Sequence, residues 1–225
     1  MTDIKMKETI SKKLEKIILK NRKPILAAVG VLVVAAVAVC VVVGVKDSQT
    51  KKGLAALDAI EYAYTVKSTE LTDAEVSARQ EKALADVAAY CGMNGLVGAR
   101  ANFLAAEVNF AKKDYSSALA GYVAAIANSK NMYLEPICRH NAAVCCEELG
   151  NKEEAYGYYV SAAETKDYYL ASHALFSAAR VQESMGNLDK AVETYKKVTE
   201  KYANDVWANM SQSRIIDLQA KGKTE

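Results

Sequence analysis

Apolar residues are distributed along this chain in two ways. From 25 to 45 they run without interruption (ILAAVGVLVVAAVAVCVVVGV), 21 positions with neither charge nor hydroxyl. From about position 54 onward they recur every three or four residues, the period of a helix that turns one face to a core. The first run predicts a membrane-crossing helix, since about 20 helical residues span the roughly 30 Å hydrocarbon layer. In lipid even a valine-rich backbone satisfies its own hydrogen bonds as a helix, and Pro24 stands at the start, where its missing N–H costs nothing. A cleaved signal peptide has a shorter apolar stretch of about 7–15 residues ahead of a small-residue cut site. A lipoprotein signal would put a small residue before Cys40, where this chain has Val39. The expectation is therefore an uncleaved signal anchor over 25–45.

The periodic remainder predicts consecutive amphipathic helices with almost no strand signal. One covers about 54–67, with Leu57, Ile60 and Tyr64 on one side. Thr72-Asp73-Ala74-Glu75 has the form of a capping box, in which Glu75 reaches back to the Thr72 N–H. The helix it opens carries Val76, Ala83, Leu84, Val87 and Cys91 at helical spacing, and the Gly92 and Gly95 stretch stops it.

A repeat follows. Lys113-Asp114, Gly150-Asn151 and Gly186-Asn187 begin three similar segments, in which Ala118, Ala155 and Ala191 lie 37 and 36 residues apart. Four residues after each alanine comes a tyrosine: Tyr122, Tyr159 and Tyr195. Seven or eight residues before each turn stands a pair of alanines, at 105–106, 142–143 and 178–179. Small residues let two helices approach closely, the aromatic fills the gap between neighbouring hairpins, and glycine takes the positive φ of the turn. A lone hairpin leaves its apolar face open, so three or more must stack. The fold class expected is all-α: a transmembrane helix followed by an alpha-solenoid of antiparallel hairpins. The boundaries are a basic tail 1–24, the anchor 25–45 and a repeat domain 46–225, with repeats at about 95–130, 131–167 and 168–203 and a capping helix over 205–220.

Charge sets the topology. Of 29 basic and 27 acidic residues, eight and three lie in 1–24, leaving 21 and 24 beyond it. The tail is thus basic and the body mildly acidic, so the sequence pI of about 8.1 describes the tail alone. A body without a basic face is not built to neutralise phosphates, which argues against nucleic acid. The positive-inside bias keeps the tail in the cytoplasm and sends 46–225 across the membrane. Within the tail Ile10, Leu14, Ile17 and Ile18 form one apolar stripe among lysines. That pattern suits a helix lying on an anionic leaflet, and equally a tail that only orients the anchor.

Little in the sequence points to catalysis. The two histidines, His140 and His173, are 33 positions apart, and neither joins an H-x-x-x-H or C-x-x-C pattern that would hold zinc. Cys138 and Cys145 are seven apart on one helix, about 10 Å along its axis and beyond disulfide reach. Buried thiols are the better reading. Glu147-Glu148 and Glu153-Glu154 read as solvated charge at helix ends. No nucleophile sits beside a base and no glycine-rich phosphate loop is present, so no enzyme, cofactor, metal or small-molecule substrate is expected.

These repeat residues resemble the tetratricopeptide-repeat family, with small residues in helix A, glycine at the turn, then alanine and an aromatic in helix B. The likeness covers about 95–203. The helix-A Trp and Gly-Tyr positions are missing, Lys113 stands where glycine is usual, and the period exceeds 34 residues, the excess falling in the connectors 129–133 and 165–168. The layout as a whole resembles the YfgM-like ancillary subunits of the bacterial Sec translocon, single-pass inner-membrane proteins with a periplasmic repeat domain. That resemblance implies a non-enzymatic scaffold for protein translocation, partnered by the Sec translocon, a chaperone or a membrane-anchored prolyl isomerase. A cytosol-facing receptor in an organelle membrane is the alternative. In the repeat family helix A lines the concave face, which implies a partner-binding groove of Arg100, Phe103, Glu107 and Phe110, then His140, Asn141 and Val144, then His173, Phe176 and Arg180. The same positions also suit packing between hairpins. A carboxylate clamp needs further basic residues, and only Asn141 fits one, so a mixed aromatic and charged groove suits an extended or helical peptide better.

Overall fold

The computed structural model describes residues 12, 15, 17–66 and 71–221. Ile10 and Leu14 of the tail stripe lie outside the described residues, while Ile17 and Ile18 are exposed. Contacts divide the chain into two units, Met1–Lys52 and Gly53–Glu225.

Helix α1 (Arg22–Thr65) is 44 residues long. Its apolar portion is exposed throughout, and it is the one helix among the described residues long and apolar enough to cross a membrane. The separate helix expected over 54–67 does not start anew, because α1 continues through that stretch. Residues 46–52 hold no proline, and Lys51 pairs with Asp47 one turn back at 2.7 Å, a spacing that supports helix.

In the second unit the last turns of α1 are followed by α2 (Asp73–Cys91), α3 (Gly95–Ala111), α4 (Tyr115–Asn128) and α5 (Leu134–Glu148). After these come α6 (Lys152–Ala163), α7 (Ala171–Ser184), α8 (Leu188–Lys201) and α9 (Val206–Lys221), with no strand among the described residues. From α2 onward each helix packs on the next, and connections this short make neighbours antiparallel. The Thr72 box forms: the Thr72 N–H donates to Glu75 Oε2 at 2.9 Å and the Glu75 N–H to Thr72 Oγ1 at 3.4 Å.

The three repeated turns close in the same way. Lys113, Gly150 and Gly186 take φ of 61°, 79° and 78°. Each donates its N–H three residues back, and the following residue donates five back, as in Asn151 N–H to Cys146 O at 2.8 Å and Asn187 N–H to Gln182 O at 3.0 Å. This Schellman pattern satisfies the last carbonyls of helix A and reverses the chain within two residues. At the first turn a lysine holds the left-handed conformation, at a cost glycine avoids.

Ala118, Ala155 and Ala191 are fully buried, as are Ala106, Ala142, Ala143, Ala178 and Ala179. Gly121 shows why such small residues are needed: a Cβ there would come within 2.9 Å of the Ala106 Cβ across the α3–α4 contact. Tyr122, Tyr159 and Tyr195 plug the gaps between hairpins. Cys138, Cys145 and Cys146 are buried free thiols in the same cores.

Candidate functional site

Helix A of each repeat carries the residues expected to line a groove, and the structure gathers them unequally. His140, Val144, His173, Phe176 and Arg180 line a single cavity of about 420 Å³, together with Glu147, Glu148, Tyr159, Ser177 and Trp207. A second cavity of about 340 Å³ adjoins it, sharing Phe176 and Arg180 and adding Glu183, Tyr195 and Arg214. Arg100, Phe103, Glu107, Phe110 and Asn141 lie outside both.

Aromatic rings run across the hairpins through this site. The His140 ring meets Tyr159 edge-on at 5.2 Å and His173 at 5.0 Å. His173 stacks on Trp207 at 4.2 Å with 18° between planes, Trp207 touches Phe176 at 5.1 Å, and Phe176 touches Tyr195 at 5.4 Å. Trp207 reaches the row because Asp205 fixes the start of α9. Its carboxylate accepts from the Ser172 hydroxyl of α7 at 2.6 Å and from the Trp207 N–H at 3.1 Å.

His140 is 8% exposed, and its Nδ1 has no hydrogen-bond partner among the described residues. Burial first, and His173 second, lowers its pKa to about 4, so the ring is neutral at pH 7. His173 is lowered too, by burial and then by Arg180.

Arg180, expected as an open contact, is already engaged. Its guanidinium donates to Glu147 Oε2 at 2.6 Å, and the same oxygen accepts from the Tyr159 hydroxyl at 2.7 Å. The arrangement recurs one repeat on, where Tyr195 donates to Glu183 at 3.1 Å and Arg214 bonds the same carboxylate. Glu147 is therefore not the solvated charge its place at a helix end implied. Together with Arg180 it ties α5, α6 and α7, and with the second triad it forms a ladder of charge-assisted bonds between repeats. The first repeat lacks a rung, because Phe110 occupies the position of Glu147 and Glu183. Phe110 packs edge-on against Tyr115 at 5.3 Å instead.

The remaining expected residues form a separate group. Arg100 binds Asp58 at 2.7 Å and Glu61 at 2.9 Å, tying α3 to α1. Phe103 lies against Tyr122 at 5.8 Å. Glu107 is pushed up to about 7 by burial and then by Glu61. Asn141 lies by the Tyr122 hydroxyl.

Two signals in the sequence could have found what was missed. Glu and Tyr recur twelve residues apart, at 147/159 and 183/195, and Trp207 falls 34 residues after His173, one repeat on. No group of three or more His, Cys, Asp or Glu among the described residues could hold a metal.

The tetratricopeptide-repeat family profile matches residues 173–205, which span α7, the Gly186 turn and α8. The match covers that one hairpin, 33 of the chain's 225 residues. The matched stretch includes His173, Phe176, Arg180 and the Tyr195–Glu183 bond, so the matched hairpin supplies one wall of the cavity. The crystal structure of a Rap protein complexed with competence and sporulation factor is similar, with a TM-score of 0.52 and 23% identity over 74% of this chain. The match takes in 46% of that protein, so this chain spans under half its length, and the likeness is one of fold. No curated protein matches the chain.

Proposed function

We propose that this chain is a membrane-tethered, non-enzymatic scaffold that binds an extended polypeptide in the groove around His140, His173 and Trp207. The continuous row of rings across successive hairpins carries this reading. Of these rings His173 and Trp207 are half-buried and offer apolar area at low side-chain entropy, with His140, Phe176, Tyr159 and Tyr195 buried behind them, and the Glu147–Arg180 pair and Glu148 supply a polar rim. Peptide grooves combine these features. A protein of similar fold is crystallised with competence and sporulation factor, which supports a ligand-holding role for such a fold. Arg100, Phe103, Glu107, Phe110 and Asn141 extend the contact surface toward α3.

In this reading residues 25–45 anchor the chain in a bacterial inner membrane, with the tail 1–24 in the cytoplasm and 46–225 in the periplasm. The repeats fall at about 95–130, 131–167 and 168–203. Tethering raises the effective concentration of groove and membrane-bound partner, so weak contacts suffice. The partner is a protein of the secretion machinery, the Sec translocon or an associated chaperone or prolyl isomerase, as in the YfgM-like layout.

A photo-crosslinking amino acid at 173 or 207 in the full chain, followed by mass spectrometry, is expected to capture a protein partner in cells. Absence of an adduct at both positions overturns the groove reading. Alkaline phosphatase fused after residue 225 is expected to be active, whereas a reporter working only in the cytosol transfers the reading to an organelle receptor.

A further inference from the structure

The turn between α2 and α3 holds the one Asn-Gly pair in the chain, Asn94-Gly95. Asn94 stands directly before α3 with extended backbone, φ −88° and ψ 158°, and its side chain makes no capping bond. The residue is exposed, and its carboxamide has no hydrogen-bond partner among the described residues. Other asparagines are held. Asn102 donates to Cys91 O and Gly98 O, both at 2.8 Å, Asn128 to Ala124 O at 3.1 Å and Asn187 to Gln182 Oε1 at 3.0 Å.

Gly95 takes φ 70°, and a Cβ placed on it would meet nothing within 4 Å. Its N–H is the first of α3 and has no carbonyl one turn back to bond. A side chain here would screen the nitrogen, whereas glycine leaves it open. The flanks, by contrast, are fastened. The Met93 carbonyl sits against Gly98, where an added Cβ would collide with it, and Met93 packs in one core with Val87 and Val97. The loose amide and the open nitrogen are thus adjacent, in a turn pinned on both sides.

We propose that Asn94 deamidates spontaneously in the folded protein, which makes this turn a site of covalent modification. The Gly95 nitrogen gives up its proton and attacks Asn94 Cγ. An N–Cγ bond forms, the Cγ–Nδ2 bond breaks, and ammonia leaves with the proton. The extended ψ of Asn94 has to rotate for this, and glycine in open space allows it. Water then opens the resulting succinimide. Addition at Cγ restores the backbone with aspartate, and addition at the main-chain carbonyl gives isoaspartate, with no change of oxidation state. Aspartate places a carboxylate at the start of α3, where the helix dipole favours it. Isoaspartate routes the backbone through the side chain and lengthens the turn that seats Met93 on Gly98. The site shares no residue with the groove, so it stands or falls independently of the function proposed above.

The full chain in detergent micelles is incubated at neutral pH and digested with trypsin. The 83–100 peptide is followed by mass spectrometry and by isoaspartyl methyltransferase labelling. Conversion of amide to acid is expected at 94 ahead of Asn128 and Asn187, faster as pH rises because the attacking nitrogen must shed its proton. Asn94→Gln, at an exposed side chain that caps nothing, requires a larger ring and is expected to abolish the product. Gly95→Ala keeps the amide but obstructs the approach of the nitrogen, and is expected to slow conversion about ten-fold. The proposal is overturned if the folded chain stays unconverted while a free 83–100 peptide converts. Equal conversion at Asn128 and Asn187, or an undiminished rate in Gly95→Ala, overturns it as well.

Discussion

The region around Glu107 and the region around His140 and His173 are built on successive copies of one hairpin pattern yet treat a proton in opposite ways. At Glu107, burial and the neighbouring Glu61 lift the carboxyl to about 7. At His140, burial and His173 drop the imidazole to about 4. Burial pushes each group toward its uncharged form, which for an acid means keeping the proton and for a base means losing it. The second region also has the Tyr–Glu–Arg ladder, where the first has Phe110 and a self-contained Arg100–Asp58–Glu61 cluster. Repeats with a common backbone thus divide into a half with a buried imidazole that sheds its proton and a half with a buried carboxyl that keeps it.

The sharpest way to break the comparison is at the inter-hairpin tyrosines. Tyr159→Ala should cost about 3–5 kcal/mol, as large-to-small core changes of aromatics do, measured by urea unfolding of the full chain in micelles. An effect below about 1 kcal/mol would show that the gap between hairpins is not filled as described. Next in size is the hydroxyl alone. Tyr159→Phe removes a bond to the Glu147 carboxylate and should cost about 1.5–3 kcal/mol, whereas Tyr122→Phe, beside neutral Asn141, should cost about 1. Equal losses would deny the ladder its role.

Proton linkage separates the two halves by sign. His140 has a folded pKa below its ordinary 6.5, so its contribution is present above pH 6.5 and is lost as pH falls toward 4. Glu107 has a folded pKa above its ordinary 4.5, so its contribution is full below pH 4.5 and is lost as pH rises through about 7. Glu107→Gln is expected to raise the unfolding midpoint at pH 8 and flatten the slope between pH 4.5 and 7. His140→Phe is expected to flatten the acid limb instead. If both variants alter the same limb, the opposition does not exist. The smallest expected effects are at the turns. Gly186→Ala at φ 78° should cost about 1–2 kcal/mol, and Lys113→Gly at φ 61° should gain about 1 or less.

Much of the fold was legible because it rests on local chemistry. The Thr72–Glu75 box, the alanine and tyrosine spacings and the Gly-Asn turns all report backbone or packing demands met within one hairpin. The site was legible only in part. Positions on helix A could be selected by register, but which of them share a cavity depends on Trp207, which enters from the last helix and is held there by Ser172 and Asp205. Glu147 was misread because its partners, Tyr159 and Arg180, lie 12 and 33 residues away, beyond the reach of any rule about helix ends. The continuation of α1 past 45 is not legible in the sequence because an apolar-to-polar change in composition marks a change of environment and does not by itself end a helix.

The three thiols sealed between hairpins give the protein a built-in clock. Burial holds Cys138 and Cys145 up at about 12 and Cys146 at about 11, so no reactive thiolate forms at neutral pH. Alkylation at these positions must wait for the surrounding helices to part. The rate at which a maleimide marks them in living cells therefore times how often the middle of the solenoid opens, and shows whether a partner holds it shut.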